Sequence, residues 1–321
     1  MSHLTQEQRY TISEMKQKGY TQTAIAKVIG KNKSIVSREL RRNCDKRNGN
    51  YRSDLAQRKY EERQKQKPKK KVFTAEIKTH VDSKLRQKYS PEQIAGQAKK
   101  EGIVCVSHER IYQYVWENKH QGGSLYKNLR TQGKRYRKRG SKKDKRGIIK
   151  DRIDIDQRPK EVELKERLGD LEIDTIIGEN HKGAILTIND RAVGMVKIKK
   201  LAGKDAKKLS EATIEVLQEW MPFLKTITAD NGKEFAEHQA ISKALGIPFF
   251  FAHPYHSWER GANENLNGLI RQYIPKKTNF STITDEYIQF IEDELNNRPR
   301  KRFNYESPNY MFNLKKVAFM T

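Results

Sequence analysis

The second half of the chain constrains the fold most, because three strand-like segments there follow one another with only short turns between them. Apolar and β-branched residues recur at 170–178, 183–188 and 195–201, and turn-forming residues separate these segments. Such short spacing is typical of strands that pair as antiparallel neighbours. We therefore predict a three-stranded antiparallel meander in this region.

Helices and strands alternate after the meander. An amphipathic helix is predicted at 205–220, short buried strands at 226–229 and 247–251, and a long helix at about 258–273. This order, β-β-β-α-β-α-β-α, predicts a mixed five-stranded sheet flanked by helices on both faces. It is the order of the ribonuclease H-like fold, and we predict such an α/β core at 161–321, ending in a helical tail.

The chain is also strongly basic, which bears on its partner. Its 321 residues include 66 Lys and Arg against 40 Asp and Glu, giving a formal net charge of +26. The charge is densest at 134–146, within a basic linker segment predicted at 121–160. A polyanionic partner is the economical explanation, and a generically basic, ribosome-associated protein is the alternative. Cys44 and Cys105 lack disulfide or metal-ligand spacing, which favours a reducing compartment.

The first 56 residues have the signals of a small helical domain. Thr5-x-x-Gln8 is a capping-box pattern that begins a first helix. A second short helix is predicted at 21–29, and Ser34 is predicted to cap a third helix at 35–42. Three short helices of this kind suit a helix-turn-helix domain at 1–56.

The third of these helices has the composition of a recognition helix. Ile35 and Leu40 can face the first two helices, which leaves the polar side to a DNA groove and its phosphates. The residues predicted to contact DNA here are Lys33, Ser34, Ser37, Arg38 and Arg41. An ordinary three-helix bundle with a solvated basic face is the alternative interpretation.

A second helix-turn-helix domain is predicted at 73–120, after a basic linker at 57–72. Ser90-Pro91-Glu92-Gln93 combines an N-cap, a first-turn proline and a capping-box glutamine. Another capped helix begins after Ser107, and two short capped helices joined by a tight turn are typical of this motif. The residues predicted to contact DNA here are Ser107, His108 and Arg110.

Three acidic residues are predicted at the edges of separate elements of the α/β core. Asp174 lies in the first strand, Asp230 ends the strand at 226–229, and Glu264 lies on the long helix. Carboxylates are preferred ligands of Mg²⁺ and Mn²⁺, and two such ions about 4 Å apart stabilise both oxygens of an in-line phosphoryl transfer. We predict catalytic and metal-binding roles for all three acids, with Mg²⁺ or Mn²⁺ as cofactor and two ions per active site.

Other interpretations of these side chains stay open on the sequence alone. Any single acid could be a solvated surface charge. Period-two alternation puts Asp170, Glu172 and Asp174 on one side of their strand, so a neighbour could share or replace the metal role of Asp174. His253 and His256 could position phosphate or water, or they could be capping and packing groups.

A long motif around the third acid makes a family resemblance specific. Residues 253–271 read HPYHSWERGANENLNGLIR, and this segment resembles the third-acid signature of the IS-thirty family of insertion-sequence transposases. The similarity extends over nearly the whole chain, through SIVSREL at 34–40, SPEQIAG at 90–96 and NRPR at 297–300. The resemblance implies a DDE-type enzyme with an integrase-like core that binds the terminal inverted repeats of its element and cuts and joins DNA strands.

The resemblance also assigns the three acids position by position. Asp174 in EIDT matches the first acid, Asp230 in ADNG the second, and Glu264 the third. The chain departs from the family at the first acid, where Leu171 and Ile173 replace the usual Trp and Gly. The strand pattern survives this change, so the ligand assignment is retained.

Basic and polar residues near the third acid are expected to reach DNA. Arg271 matches the usual basic residue after the third acid, and it lies seven residues beyond Glu264 on the same helix face. Arg260 and Asn267 in the same segment are likewise predicted to contact DNA.

We therefore expect a DNA transposase of the bacterial cytoplasm, associated with the nucleoid. Its partner would be double-stranded DNA, both terminal inverted repeats and target DNA, and it would act as a homodimer because two element ends must be coupled. A DNA-binding regulator without catalysis is one alternative, although no acid is lost here. A ribonuclease H-like nuclease or resolvase is another, and two sequence-reading modules argue against it. A retroviral-type integrase would carry an N-terminal His/Cys zinc module, which this sequence lacks.

Overall fold

A computed structural model describes residues 3–66, 73–132, 149–201, 203, 205–254 and 256–320. Residue contacts divide the chain into two compact units, Met1–Val72 and Phe73–Thr321. The Lys- and Arg-rich run at 134–146 lies outside the described residues. Within the described ranges, no helix has both the length and the apolar character needed to cross a membrane.

The first unit is helical. It consists of α1 (Gln6–Gln17), α2 (Gln22–Val28), α3 (Lys33–Asn43) and α4 (Ser53–Gln66). The predicted capping box is confirmed, because Thr5 Oγ1 accepts the Gln8 amide and the Gln8 side chain accepts the Thr5 amide. The helices enclose one apolar core, formed by Leu4, Ile12, Ile25, Ala26, Ile29, Val36, Tyr51 and Ala56.

The start of α3 differs from the prediction. Asn32 occupies the N-cap position in extended conformation, and its side chain makes no capping hydrogen bond. Ser34 is therefore not the cap, because the helix already begins at Lys33 and the Asn32 carbonyl accepts the Ile35 amide at 2.9 Å. The Ser34 carbonyl accepts a hydrogen bond from Arg38 Nε at 3.1 Å instead.

A buried ion pair connects α1 to α3. Arg9 Nε lies 3.0 Å from Glu39 Oε1, and the two side chains are only 3% and 10% exposed. The Tyr51 hydroxyl donates to the same carboxylate oxygen at 3.0 Å. Burial, together with the Glu39 charge, raises the pKa of Tyr51 well above its usual range. The pair thus fixes the orientation of the α3 face that points away from the core.

The second unit begins with three more helices, α5 (Ala75–Arg86), α6 (Pro91–Lys100) and α7 (His108–His120). Ser90 and Gln93 form the predicted capping box with Pro91 in the first turn, and Ser107 Oγ caps α7 by accepting the Arg110 amide. Their common core contains Ile77, Val81, Leu85, Tyr89, Ile94, Val106, Ile111, Val115 and Leu129.

The first part of the α/β core supplies four strands. They are β1 (Ile153–Asp154) and, after the short helix α8 (Glu161–Leu164), β2 (Asp170–Ile177), β3 (Ala184–Asp190) and β4 (Val196–Leu201). The last three strands form the predicted antiparallel meander. β1 lies inside the segment predicted as a linker, where a strand of two residues is too short to produce a recognisable pattern.

The remaining elements alternate as predicted. They are α9 (Ala206–Leu217), β5 (Thr226–Ala229), α10 (His238–Leu245), β6 (Phe249–Phe251) and α11 (Gly261–Ile270). The strand order is β1-β6-β5-β2-β3-β4, with β2, β5, β6 and β1 parallel to their neighbours on that side. This is the ribonuclease H-like fold, extended by β1 to six strands rather than the predicted five.

The predicted long helix at 258–273 is shorter than expected. A 3₁₀ turn at Ser257–Arg260 precedes α11, and Arg260 has φ −126° and ψ 40°, outside helical geometry. Two further helices, α12 (Asp285–Asn297) and α13 (Pro308–Met320), complete the tail.

Helices cover both faces of the sheet. On one face, α9, α10 and α13 pack over Leu171, Ile173 and, from β6, Phe249 and Phe251. On the other face, α11 and α12 pack over Ile176 and Ile185. Asp174 has the same parity along β2 as Ile176, so it lies on the face that α11 covers.

Candidate active site

Asp174 and Asp230 lie on neighbouring parallel strands. β2 and β5 pair through Asp170 with Thr226 and through Glu172 with Thr228, and Asp230 follows β5 directly. Continuing this register by two residues places Asp174 beside Asp230. The fold therefore brings together two acids that are 56 positions apart in the chain (230 − 174).

One arginine bridges these two carboxylates. Arg260 Nη2 lies 3.4 Å from Asp230 Oδ2 and 4.0 Å from Asp174 Oδ2. Arg260 Nη1 donates to the Ile173 carbonyl at 3.0 Å, which holds the guanidinium in place. The arginine side chain is 11% exposed, so its charge is largely shielded from water.

Asp174 is held by two further donors. Its Oδ2 accepts the Asn267 amide at 2.8 Å, and its Oδ1 accepts the Thr175 backbone amide at 2.8 Å. Burial, with a contribution from the Asp230 charge, raises the pKa of Asp174 to about 6, and Arg260 opposes that shift. When the pKa of a carboxylate is raised in this way, a nearby positive charge is most effective in stabilising its ionised form.

The third acid stands apart from this pair. Glu264 lies in the first turn of α11 with an exposed side chain. Within the described part of the chain, the carboxylates of Asp174, Asp230 and Glu264 do not come within 4.8 Å of one another as a set of three. Glu264 is one helical turn before Asn267, so both residues are on the same face of α11.

Arg130, which follows the second group of helices, contacts α11 beside the third acid. Its Nη1 donates to Asn265 Oδ1 at 2.6 Å. Burial lowers the pKa of Arg130, and the Glu264 charge opposes that shift. A Cβ at Gly268 would lie 2.2 Å from Arg130 Nη2, so the absence of a side chain there admits the guanidinium. Sequence reasoning missed this residue; a glycine inside a helix was the available signal of close approach.

The other acids of β2 are bound by different arginines. Arg167 makes a bidentate contact with Asp170, from Nε at 3.0 Å and from Nη2 at 2.9 Å. Glu172 lies 3.4 Å from Arg191 Nε, and it accepts the Asn263 amide at 3.2 Å. Among these three acids, Asp174 is therefore the one that shares a cation with Asp230.

The turn after β5 is held by its own polar groups. Asp230 Oδ1 accepts the Gly232 amide at 2.9 Å, and Asn231 Nδ2 donates to the Ala252 carbonyl at the end of β6. Thr175 Oγ1 donates to Glu234 Oε1 at 2.8 Å, which links β2 to this turn. The turn therefore fixes the position of Asp230 relative to Asp174.

Known proteins similar to this chain identify its family. Residues 1–43 match a family model described as a helix-turn-helix domain. The transposase for insertion sequence element IS4351 of Bacteroides fragilis is 56% identical, over 99% of this chain and 98% of that protein. The transposase InsI for insertion sequence element IS30A of Escherichia coli K12 is 30% identical, over 96% of this chain and 82% of that protein. This chain belongs to the IS-thirty family of insertion-sequence transposases.

A solved structure is also similar to part of this transposase. The catalytic core domain of BIV integrase is 17% identical, with a TM-score of 0.38, over 47% of this chain and 98% of that domain.

The residues of this transposase that are predicted to contact DNA differ in their surroundings. In α3 the side chains of Lys33, Ser34, Ser37, Arg38 and Arg41 are all exposed. Residues 34, 37, 38 and 41 have the i, i+3, i+4, i+7 spacing of one helix face. Val36 and Glu39 are buried on the opposite side. The face is thus accessible, and DNA contact by it remains a prediction.

In the second group of helices the predicted residues are partly engaged. Ser107 caps α7, and His108 is exposed beside it. Arg110 Nη1 lies 2.8 Å from Glu117 Oε1 on the same helix. Arg110 would have to leave this exposed ion pair in order to reach a phosphate, and exposed ion pairs of this kind contribute little to stability.

The predicted DNA-contacting residues around α11 are bound within the core. Asn267 and Arg260 contact the paired acids as described, and Asn267 Oδ1 also accepts the Thr187 hydroxyl at 3.3 Å. Arg271 Nη2 donates to the Ile177 carbonyl at 3.0 Å, and Nη1 donates to the Pro275 carbonyl at 3.2 Å. Burial lowers the pKa of Arg271. These contacts position α11 against β2, whether or not the same residues also meet DNA.

Proposed function

We propose that this transposase binds the terminal inverted repeats of its insertion sequence and catalyses metal-dependent cleavage and transfer of DNA strands, with Asp174, Asp230 and Glu264 as its acidic active-site residues. The observation that carries the proposal is the alignment of Asp174 and Asp230 around one shared cation. We place this activity on DNA in the bacterial cytoplasm.

The donor set of this site suits Mg²⁺ or Mn²⁺. Asp174 and Asp230 present carboxylate oxygens to one point, and the Arg260 guanidinium there demonstrates that the point accommodates positive charge. Hard divalent cations prefer such oxygen ligands. When bound, one or two such ions would supply the charge that stabilises the attacking and leaving oxygens of phosphoryl transfer.

The protein residues around the acids have separate tasks. Asn267 and the Thr175 amide orient the Asp174 carboxylate, and Thr175 with Glu234 ties β2 to the turn that carries Asp230. Glu264 lies one turn before Asn267 on the same helix face, so a change of its side-chain rotamer would direct its carboxylate towards Asp174. The positive charge of Arg260 balances the two aspartates when no metal ion is bound between them.

The site geometry favours catalysis over a purely regulatory role. Burying Asp174 next to a second carboxylate costs folding free energy, as its raised pKa indicates. A protein that only bound DNA would gain nothing from that cost. Strongly perturbed acids in such positions are characteristic of functional sites.

DNA recognition is assigned to the two groups of short helices. The exposed face of α3, which includes Arg38 and Arg41, would enter a groove of the inverted repeat, and the start of α7 would make a second set of contacts. Target DNA would lie against the acidic site. We propose a homodimer on DNA, because strand transfer needs two element ends in one complex.

The proposal is tested with labelled DNA that carries the element's end, in Mg²⁺ or Mn²⁺. Binding is scored separately from cleavage and joining for the wild type, Asp230→Asn and Glu264→Gln. We expect both variants to bind and to do neither reaction. Asp205→Asn is the matched control, because that residue is the exposed N-cap of α9 and asparagine caps equally well.

Two results would contradict this proposal. If the wild type binds the element's end but does not cleave it in either metal, a DNA-binding regulator becomes the better description. If Asp230→Asn and Glu264→Gln cleave as the wild type does, the acidic residues are not the active site. Light scattering of the complex with paired ends tests the homodimer, and a monomer there would exclude it.

A further inference from the structure

A group of metal-ligating side chains lies outside the acidic site, on the segment between β6 and α11. His253, His256 and Glu259 each place one potential donor atom within 4.8 Å of the other two. Among the described residues, these three side chains form the group of three or more His, Cys, Asp or Glu residues whose donor atoms lie this close together. All three residues are partly buried, so their donors converge in a partly enclosed space.

Hydrogen bonds already orient two of these side chains. His253 Nδ1 lies 2.9 Å from Glu259 Oε1, and the His253 backbone amide donates to Glu259 Oε2 at 2.9 Å. The rings of His253 and His256 meet edge to face, with centroids 5.3 Å apart and an interplanar angle of 83°. Nδ1 of His253 therefore points into the group rather than away from it.

A further carboxylate contacts the other side of the His253 ring. His253 Nε2 lies 3.1 Å from Asp156 Oδ2, in the turn that follows β1. Metal-ligating histidines usually donate their second ring N–H to a carboxylate, which fixes the tautomer and the ring orientation. With Nε2–H kept on Asp156, an ion bound beside Glu259 would displace the Nδ1 proton that faces Glu259 Oε1 and take Nδ1 as its ligand.

From this geometry we propose that His253, His256 and Glu259 bind a divalent transition-metal ion of the zinc class, with Asp156 orienting His253. Two imidazole nitrogens and one carboxylate suit Zn²⁺ or Co²⁺, whose sites commonly combine nitrogen and oxygen ligands. Mg²⁺ prefers oxygen ligands alone and keeps much of its water. This site therefore selects a different ion from the one proposed for the acidic residues.

The location suggests what the ion does. It joins the turn after β1, through Asp156, to the segment that ends in α11. Glu259 immediately precedes Arg260, which bridges Asp174 and Asp230. A bound ion would thus fix the turn that positions Arg260 and the first residues of α11. This role rests on the proposed function of the acidic site, whereas binding of the ion does not.

Co²⁺ binding tests the proposal independently of catalysis. The full chain carries Asp174→Asn, Asp230→Asn and Glu264→Gln together, is stripped with a chelator, and is titrated with Co²⁺ in a large excess of Mg²⁺. The visible absorption of Co²⁺ reports nitrogen ligation and low coordination number. We expect one Co²⁺ per chain, and loss of that absorption when His253→Gln or His256→Gln is added.

Two further variants keep the test decisive. Asp156→Asn should weaken Co²⁺ binding about 10- to 100-fold, the usual effect of losing the carboxylate behind a ligating histidine. His120→Gln, an exposed histidine at the end of α7, should leave binding unchanged. Circular dichroism and the melting temperature of the metal-free proteins identify any variant that fails to fold, and Glu259→Gln then replaces it in the comparison.

Two outcomes would overturn the proposal. The first is a parent chain that shows no Co²⁺ absorption at one equivalent in excess Mg²⁺. The second is a spectrum that persists unchanged in folded His253→Gln and His256→Gln variants, which would locate the ion elsewhere. Neither outcome concerns cleavage of DNA, so the function proposed for the acidic residues would stand or fall separately.

Discussion

Asp170 at the start of β2 and Asp174 in its middle are the same residue type on the same face of the strand, yet their surroundings differ. Arg167 donates to both oxygens of Asp170, and the Thr226 hydroxyl adds a third contact at 2.8 Å, while Arg167 Nη1 also reaches the exposed Glu161. Asp174 shares Arg260 with Asp230, at 4.0 and 3.4 Å. The first aspartate accepts two short hydrogen bonds from its arginine, and the second lies farther from an arginine that is nearer to another aspartate.

This difference separates a carboxylate that stabilises the fold from one that is available for chemistry. Buried charges are stabilising only when their partners and hydrogen bonds are complete. Asp170 meets that condition, and its hydrogen bonds raise the pKa of Arg167. At Asp174 burial dominates and the pKa of the acid rises to about 6. A divalent cation bound at this site would supply the positive charge that Asp174 lacks.

The largest expected effect is on catalysis, when the same substitution is made at these two positions of β2. Asp174→Asn should reduce strand cleavage by at least about 100- to 1,000-fold, the scale of losing an electrostatic contact to a transition state. Asp170→Asn should retain most cleavage per folded molecule, because its carboxylate is bound by Arg167. Initial rates on labelled element ends, normalised to the folded fraction, provide the measurement. Equal losses in both variants would remove the distinction drawn between the two aspartates.

The second expected effect is on stability, with opposite signs at the two positions. Asp170→Asn loses its charged hydrogen bonds and should lower the free energy of unfolding by about 2 kcal/mol. Asp174→Asn should raise it by about 1–3 kcal/mol at pH 7, because a neutral amide avoids the cost of a buried charge. Urea denaturation in the presence of a chelator gives both values, since bound metal would stabilise the wild type.

The pH dependence sharpens this stability difference. The folded-state pKa of Asp174 is raised from 3.8 to about 6, so the folded state binds this proton more tightly than the unfolded state does. The charge therefore costs stability fully above about pH 6, and the cost disappears as the pH falls towards 4. The gain from Asp174→Asn should shrink over the same interval. A gain that is independent of pH would show that packing, not charge, is its cause.

The elements of this core could be predicted from the sequence, whereas the partners of its acids could not. Strand and helix order follows from the apolar pattern at 170–251, and Asp230 is recognisable as the residue that follows β5. Alternation along β2 places Asp170, Glu172 and Asp174 on one face without ranking them. The ranking comes from the register with β5 and from which arginine reaches each acid, and both are tertiary properties.

Short or distant features escaped prediction for related reasons. β1 has two residues and is held in the sheet by β6, so it carries no pattern of its own. Asn32 is the N-cap residue of α3 but makes no side-chain capping bond. Ser34 is therefore the more conspicuous capping signal in the sequence, although it is not the cap. Arg130 contacts Asn265, which is 135 positions away in the chain, and the residues next to Arg130 in the sequence give no indication of that contact.

The smallest expected effect concerns Arg130, which lies near Glu264; the negative charge of Glu264 opposes the lowering of the Arg130 pKa by burial. An alanine at position 268 would place its Cβ 2.2 Å from Arg130 Nη2, so Gly268→Ala should displace the guanidinium and lower the free energy of unfolding by about 1 kcal/mol. In an Arg130→Ala background the same change should be neutral or should stabilise by up to about 1 kcal/mol, because alanine is the better helix former. A double-mutant cycle by urea denaturation measures this reversal of sign. If Gly268→Ala has the same effect in both backgrounds, the Arg130 contact does not hold the second group of helices to α11. Glu264 would then have no arginine held beside it, in contrast to Asp170, which is bound by Arg167.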